Sequence, residues 1–112
     1  MKSEANLSLP KNPTVSDFQK YVDDMCQQRG FDKETLQEIF VLFVEEAGEF
    51  ARIVRKLSGT KTDVAADGRL RDAGDELADL FIYLLHLANK LDINLEEAFR
   101  VKEEKNKQRS WK

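Results

Sequence analysis

Several residue types are scarce in this 112-residue chain, and each scarcity excludes a class of protein. The single cysteine, Cys26, excludes an internal disulfide, fits a reducing compartment and is expected to pack in the core. Five glycines and two prolines are typical of a helical protein. No apolar run approaches the ~18 residues that a membrane span requires, and no secretory leader is visible. We therefore expect a cytoplasmic, all-α protein.

Charge is abundant but nearly balanced, with 35% charged residues and a net charge of −3. A net negative chain is poorly suited to a phosphate backbone, which argues against a nucleic-acid partner. Nucleotides stay open as ligands, because a bound metal ion reverses the sign of an acidic pocket. A short chain with 41% hydrophobic residues often buries its surplus apolar surface in a homo-oligomer.

Hydrophobic periodicity predicts four helices after a lead-in at residues 1–13. Ser58-Gly59 is predicted to end the second helix, and a polar stretch at residues 58–71 separates it from the third. Residues 14–112 are expected to form one helical domain. The predicted helices run from Ser16 to near Arg29, from Asp32 or Thr35 to about Leu57, from about Asp72 to Lys90, and from Asn94 towards Gln108.

Two acidic clusters stand where a helical protein should bury hydrocarbon. Glu45-Glu46-x-x-Glu49 lies on the second predicted helix, and Glu76-x-x-Asp79 lies on the third. Residues three apart share one side of a helix, so each cluster points a pair of carboxylates in one direction. At ~100° per residue, Glu46 falls inside the apolar arc of its helix and Glu49 at the rim, while Glu76 lies among apolar residues.

Unpaired carboxylates are too costly to bury, so four of them converging in a helical interior predict a hard divalent cation. Mg²⁺ or Mn²⁺ is favoured over iron or zinc. A di-iron bundle adds Glu-x-x-His motifs, and the only histidine, His86, is not in one and is expected to be a packed residue. One alternative is that the carboxylates are ordinary solvated charges, which we favour for Glu45 taken alone. Another is pairing with buried basic residues, which is weakened because neither cluster has a Lys or Arg three or four positions on that points into the apolar arc.

A second set of polar residues lies on one side of the fourth predicted helix. Lys102 and Asn106 are four apart and Arg109 is one turn beyond, so this side offers an ammonium, an amide and a guanidinium. Such a set suits phosphate and sugar oxygens, although basic residues near a helix C-terminus also complement its dipole. Tyr83, four residues after Asp79, is placed to point its hydroxyl towards the acidic clusters.

These residues resemble the signature of a known family. Glu45–Glu49 followed by Glu76–Asp79 resembles the EExxE…ExxD motif of the MazG-like, all-α nucleoside triphosphate pyrophosphohydrolases. The run Asp79-Leu80-Phe81-Ile82-Tyr83 is similar to the family's Asp-x-x-x-Tyr continuation. Lys102-x-x-x-Asn106 resembles the Lys and Asn of the fourth helix in dCTPase- and dUTPase-like members. The similarity extends from about Asp17 to Arg109.

The resemblance implies a four-helix MazG-like bundle that assembles as a homodimer or homotetramer. It also implies Mg²⁺-dependent hydrolysis of a (deoxy)nucleoside triphosphate between its α- and β-phosphates, in nucleotide-pool housekeeping. By motif position, Glu45 would orient or activate the attacking water. The metal ligands would be Glu46, Glu49, Glu76 and Asp79. The catalytic residues would be Glu45, Glu46, Glu49 and Lys102. The substrate would be bound by Tyr83, Lys102 and Asn106, and also by Arg109, which lies on the same side of the helix as Lys102 and Asn106.

Two other functions stay open at this point. One is a non-catalytic nucleotide sensor that keeps the pocket without turnover, and the other is a purely structural helical oligomer. The preferred base is also open, and Phe31, Phe40 and Trp111 are candidates for stacking it. The segment Gly59–Arg71 is longer and more polar than in compact members of the family.

Overall fold

The structure, a computed structural model, describes residues 6–57 and 68–111. Within these ranges there is no strand, so the all-α class and the four helices are as predicted. A single 3₁₀ turn at Phe31–Lys33 separates the first two helices. The helices are α1 (Val15–Arg29), α2 (Leu36–Leu57), α3 (Arg69–Lys90) and α4 (Leu95–Lys107).

Helix α1 is capped by Thr14, slightly earlier than the predicted Ser16, through a capping box that Thr14 forms with Asp17. Thr14 Oγ1 accepts a hydrogen bond from Asp17 N at 3.1 Å, and Asp17 Oδ2 accepts one from Thr14 N at 2.9 Å. These bonds satisfy two of the N–H groups that a helix start leaves without partners. The helix ends at Arg29 as predicted, because Gly30 adopts a left-handed φ of 79° that side chains disfavour.

Helices α2 and α4 begin at two of the predicted caps. Thr35 Oγ1 accepts from Glu38 N at 3.1 Å, and Glu38 Oε1 accepts from Thr35 N at 2.8 Å. At the start of α4, Asn94 Oδ1 accepts from Glu97 N at 3.0 Å. In both cases a short polar side chain replaces the missing helical acceptor.

Helix α3 begins at Arg69, earlier than the predicted Asp72. Gly68 adopts a left-handed φ of 78°, and its carbonyl accepts the first helical bond from Asp72 N at 3.1 Å. The Arg69 guanidinium donates to the carbonyl of Lys56 at 3.0 Å, which links the start of α3 to the last turn of α2. The predicted stop at Ser58-Gly59 lies outside the described residues.

The described chain divides into two compact units. The first contains the described residues up to Lys33 and those from Leu85 onward. Cys26 is 2% exposed and His86 is 6% exposed, so both are packed residues as predicted. The core of this unit consists of Val22, Met25, Cys26, Leu85, His86 and Ala88.

Gln19 joins α1 to the connection between α3 and α4 within the first unit. Its Nε2 donates to Asn89 Oδ1 at 3.1 Å and to the carbonyl of Ile93 at 2.8 Å. Leu95 N donates to Gln19 Oε1 at 2.9 Å, and Asn89 Nδ2 donates to the Gln19 carbonyl at 2.9 Å. These bonds pair polar groups that packing removes from water, and they hold the first turn of α4 against α1.

The second unit spans Glu34–Leu84 and contains α2 and most of α3. Among its described residues, only Ile39 and Ala73 are buried. Both helices carry a second apolar side that is exposed in the single chain, which we call the outer apolar stripe. It consists of Phe40, Val44 and Val54 on α2, and Leu70, Leu77, Phe81 and Leu84 on α3.

No helix in the described ranges is both long enough and apolar enough to cross a membrane. That residues 14–112 form one domain stays a prediction, as does the lead-in at residues 1–13.

Candidate metal centre

Three of the predicted metal ligands come together in the second unit. Glu46 of α2 and Glu76 and Asp79 of α3 each offer a carboxylate oxygen, and these atoms lie within 4.8 Å of one another. Glu76 and Asp79 are one turn apart, so both reach the same side of α3. Glu46 and Glu76 are half-buried and Asp79 is exposed, so the group can be reached from solvent at Asp79.

Crowding changes the protonation of this group. A hydrogen bond between the carboxyl groups of Glu76 and Glu46 is the largest cause that raises the pKa of Glu76 from 4.5 to about 7. Loss of contact with water and the charges of Glu46, Asp79 and Glu49 raise it further. This hydrogen bond requires a shared proton, because two ionised carboxylates can only accept. The buried Oε2 of Glu76 has no hydrogen-bond partner among the described residues.

The carboxyl group of Asp79 also holds its proton more tightly than usual. Desolvation raises the pKa of Asp79 above 3.8, and the charges of Glu46 and Asp75 add to this effect. Asp75 is absent from the residues predicted for the site. Its position one turn before Asp79 was visible in the sequence, where like charges four apart on a helix repel each other.

Tyr83 lies close enough to the carboxylates to respond to their charge. Desolvation is the main cause that raises the pKa of its phenol above 10.0, and Glu46 and other acidic residues raise it further. The hydroxyl therefore stays protonated at neutral pH and can donate a hydrogen bond. Its contact with a substrate stays a prediction.

Glu49 and Glu45 lie outside the group of three carboxylates. Glu49 Oε1 is 3.5 Å from Nη2 of Arg52, and its side chain is 50% exposed, so this ion pair contributes little to stability. Glu45 is exposed. Both still act through charge, Glu49 on the pKa of Glu76 and Glu45 on that of Tyr83. The ligand role of Glu49 and the water-orienting role of Glu45 stay predictions.

The other predicted substrate-binding residues lie at the C-terminal end of the chain, in the first unit. Lys102 lines a shallow surface hollow together with Lys105. Asn106 is half-buried, and its side-chain Oδ1 accepts no hydrogen bond from the described residues. Its carbonyl accepts one from the indole N–H of Trp111 at 3.1 Å, and the guanidinium of Arg109 lies over that indole ring. Contact of these residues with a substrate stays a prediction.

The three clustered carboxylates fit a hard divalent cation. Oxygen atoms of this kind are the ligands that Mg²⁺ and Mn²⁺ prefer, and the group identified in the described residues contains no histidine or cysteine. A cation would offset the repulsion between the charges and would give the buried Oε2 of Glu76 a partner. The chemistry of the site therefore agrees with the predicted metal.

Comparison with known proteins identifies the family. The model of the MazG nucleotide pyrophosphohydrolase domain matches residues 34–112, a stretch that includes every residue predicted to bind metal, contact the phosphates or sugar, or act in catalysis. No curated protein matches the chain. The predicted family and the all-α MazG fold are thereby confirmed, while closeness to the dCTPase-like members stays a prediction. Because the match covers most of the chain, the protein belongs to the MazG nucleotide pyrophosphohydrolase family.

Proposed function

We propose that this protein is a Mg²⁺-dependent hydrolase that cleaves (deoxy)nucleoside triphosphates between the α- and β-phosphates. The products would be the nucleoside monophosphate and pyrophosphate, and the role would be nucleotide-pool housekeeping. The observation that carries the proposal is the convergence of Glu46, Glu76 and Asp79 within a chain of the MazG family. Mn²⁺ is the alternative ion, because it prefers the same oxygen ligands.

Glu46, Glu76 and Asp79 would hold the ion, with Glu49 as the fourth proposed ligand. When bound, Mg²⁺ would offset the charge of the phosphates and lower the pKa of the attacking water. The exposed carboxylate of Glu45 would orient that water and take its proton as the water oxygen bonds to phosphorus and the bond to pyrophosphate breaks. Lys102 is the proposed positive charge for the phosphate oxygens. This route requires no covalent nucleophile.

The reaction is tested by measuring pyrophosphate and monophosphate released from a panel of ribo- and deoxynucleoside triphosphates. We expect both products in equal amounts from at least one triphosphate with Mg²⁺, and none in EDTA. Release of inorganic phosphate alone would place the cleavage at the γ-phosphate and contradict the proposal. Nucleotide binding without any product would instead identify the protein as a nucleotide sensor.

We also propose that the outer apolar stripe packs against a second copy of the chain in a homodimer or homotetramer. Its members lie three, four or seven residues apart, the spacing at which packed helices meet, when Ala47 and Ala51 are counted between Val44 and Val54. A symmetric dimer pairs the same patch on both subunits, so one apolar stripe supplies both halves of the interface. Burial of these exposed side chains would stabilise the assembly.

The assembly is tested by measuring the molar mass of the protein in solution by light scattering. We expect the mass of two or four chains. Val44→Glu should give a single-chain mass, because an unpaired carboxylate would have to be buried in the interface. Lys56→Glu adds a carboxylate to the polar side of the same helix and should leave the mass unchanged. A single-chain mass for the unmodified protein would exclude this interface.

A further inference from the structure

Arg52 lies one turn beyond Glu49 on α2, in the same compact unit as the three clustered carboxylates. Its Nη2 atom is 3.5 Å from Oε1 of Glu49, and the two side chains are 58% and 50% exposed. Side chains of a helix lean towards its N-terminus, so the guanidinium extends back towards the part of α2 that carries Glu46. A positive charge is thus held beside the candidate metal centre.

The ion pair between Arg52 and Glu49 is easily exchanged for other partners. Water screens a pair this exposed, so the contact contributes little to the stability of the folded chain. A guanidinium carries five N–H donors and binds two oxygens of one anion at once, whereas its recorded ion pair with Glu49 joins one nitrogen to one oxygen. Another anion could therefore replace Glu49 at small cost.

A triphosphate at the metal centre would need such a charge. It carries more negative charge than one divalent cation offsets, and the carboxylates that would hold the cation are acidic as well. Lys102, the positive charge proposed above for the phosphates, belongs to the other compact unit, whereas Arg52 and the clustered carboxylates share one unit. The planar guanidinium fork also matches the geometry of phosphate oxygens.

Helix geometry distinguishes Arg52 from the other basic residues of α2. Arg52 is six residues from Glu46, or ~9 Å along the helix axis, which an arginine side chain and one phosphate group can span together. Lys56 is ~15 Å from Glu46 along the axis, and Arg55 lies ~180° around the helix from Glu46. Both belong to the last turn of α2. Arg52 is therefore the best placed of the three to reach a ligand at the carboxylates.

We propose that Arg52 binds phosphate oxygens of the substrate after exchanging Glu49 for them. In the unliganded chain Arg52 offsets the charge of Glu49. When Glu49 acts as a metal ligand, the guanidinium is released and donates to the phosphate groups beside the ion. This inference rests on the proposed function for the identity of the ligand as a triphosphate. Arg52 stays protonated throughout, so it supplies charge and position and transfers no proton.

Phosphate binding is tested by calorimetry with imidotriphosphate and Mg²⁺. This probe has the three phosphates without base or sugar, and its nitrogen bridges resist hydrolysis. We expect Arg52→Gln to weaken the affinity about tenfold, and Arg52→Lys to lose less because the charge is kept without the planar fork. Arg55→Gln is the matched control and should bind like the unmodified protein. Equal affinities of Arg52→Gln and Arg55→Gln, or no binding to the unmodified protein, would overturn the proposal.

Binding of Mg²⁺ alone separates exchange from a merely structural role. If Arg52 only positioned Glu49 as a ligand, Arg52→Gln would weaken Mg²⁺ binding in the absence of phosphates. Exchange predicts equal or tighter binding, because the ion no longer competes with a guanidinium for Glu49. The helical circular dichroism spectrum should stay unchanged, since the pair is exposed. Weaker binding of Mg²⁺ alone by Arg52→Gln would overturn the exchange.

The proposed reaction and the proposed role of Arg52 fail in distinguishable ways. Weaker binding of imidotriphosphate by Arg52→Gln, without hydrolysis of any nucleoside triphosphate by the unmodified protein, would support the phosphate contact and contradict the reaction. Hydrolysis with the same KM in Arg52→Gln and Arg55→Gln would support the reaction and contradict the contact.

Discussion

Replacing Asp79 by asparagine should reduce the rate of pyrophosphate release about a thousandfold while the helical circular dichroism spectrum stays unchanged. The amide removes the negative charge of one of the carboxylates that would hold the metal, and it is a weaker ligand than a carboxylate. Metal ions contribute several kcal/mol of charge stabilisation in the transition state, and about 4 kcal/mol corresponds to a thousandfold change in rate. The measurement is kcat/KM for pyrophosphate release at saturating Mg²⁺.

Asp24→Asn is the matched control for this variant. Asp24 is a carboxylate of α1 that pairs with Lys20 at 2.7 Å, so its replacement should leave the rate near that of the unmodified protein. If Asp79→Asn kept a rate similar to that of Asp24→Asn, the metal assignment would be wrong. The same measurement on Glu49→Gln tests the fourth ligand: a comparable loss would support direct ligation in spite of the contact with Arg52.

Replacing Glu76 by glutamine should abolish turnover and at the same time raise the melting temperature of the metal-free protein at neutral pH. The glutamine side chain can donate the hydrogen bond to Glu46 that glutamic acid provides only while protonated. It also removes a charge that is repelled by Glu46, Asp79 and Glu49. Residues that suit a function often reduce stability in this way. The measurement is thermal unfolding in EDTA across a series of pH values.

The difference in stability between Glu76→Gln and the unmodified protein should depend on pH, because the pKa of Glu76 is raised in the folded chain. Folded Glu76 keeps its proton up to about pH 7, whereas the ordinary value of 4.5 applies to the unfolded chain. Between these values the folded chain binds more protons, so the free energy of unfolding falls as pH rises. The raised pKa of Asp79 acts in the same direction. The advantage of Glu76→Gln should therefore appear above about pH 4.5 and level off above about pH 7.

Mg²⁺ should reverse the order of stability at neutral pH. A ligand that binds only the folded chain adds about 2.7 kcal/mol at a concentration of 100 times its Kd, and the glutamine variant should gain much less. Glu104→Gln is the control, since Glu104 pairs with Lys107 on the surface of α4, and it should respond to Mg²⁺ like the unmodified protein. Equal responses of Glu76→Gln and Glu104→Gln to Mg²⁺ would contradict a metal site at Glu76.

The helices were largely predictable because their signals are local. Thr35, Asn94 and Gly30 each mark a helix end through bonds or dihedral angles within a few residues. Ser16 was a reasonable but wrong start. Ser16-x-x-Gln19 has the pattern of a capping box, as Thr14-x-x-Asp17 does.

Tertiary contacts decide between those two caps. The side chain of Gln19 bonds Asn89, the Ile93 carbonyl and Leu95 N, all of which are more than sixty positions away in the sequence. It therefore serves the packing of α1 against the start of α4 rather than the N-terminus of its own helix. No local pattern distinguishes a glutamine with this role from one that caps.

The candidate site was also predictable where helical spacing decides and unpredictable where tertiary contacts decide. Helical spacing placed Glu46 on the apolar side of α2, and Glu76 and Asp79 on one side of α3, as the structure has them. Spacing also placed Glu49 near Glu46, but the side chain of Glu49 turns to Arg52. Positions at the rim of an apolar arc are ambiguous, because a rotation of the side chain is enough to choose between solvent and interior.

By itself the sequence determined the all-α class, the family and the pairing of carboxylates along each helix, because the repeat of 3.6 residues per turn follows from backbone geometry alone. The tertiary structure decided that the carboxyl groups of Glu46 and Glu76 lie close together, which raises the pKa of Glu76, and that Trp111 is anchored to Asn106 with Arg109 over its ring. Distances between side chains that are not neighbours along one helix depend on how the chain packs and turns. Repulsion, burial and hydrogen bonding depend on those distances.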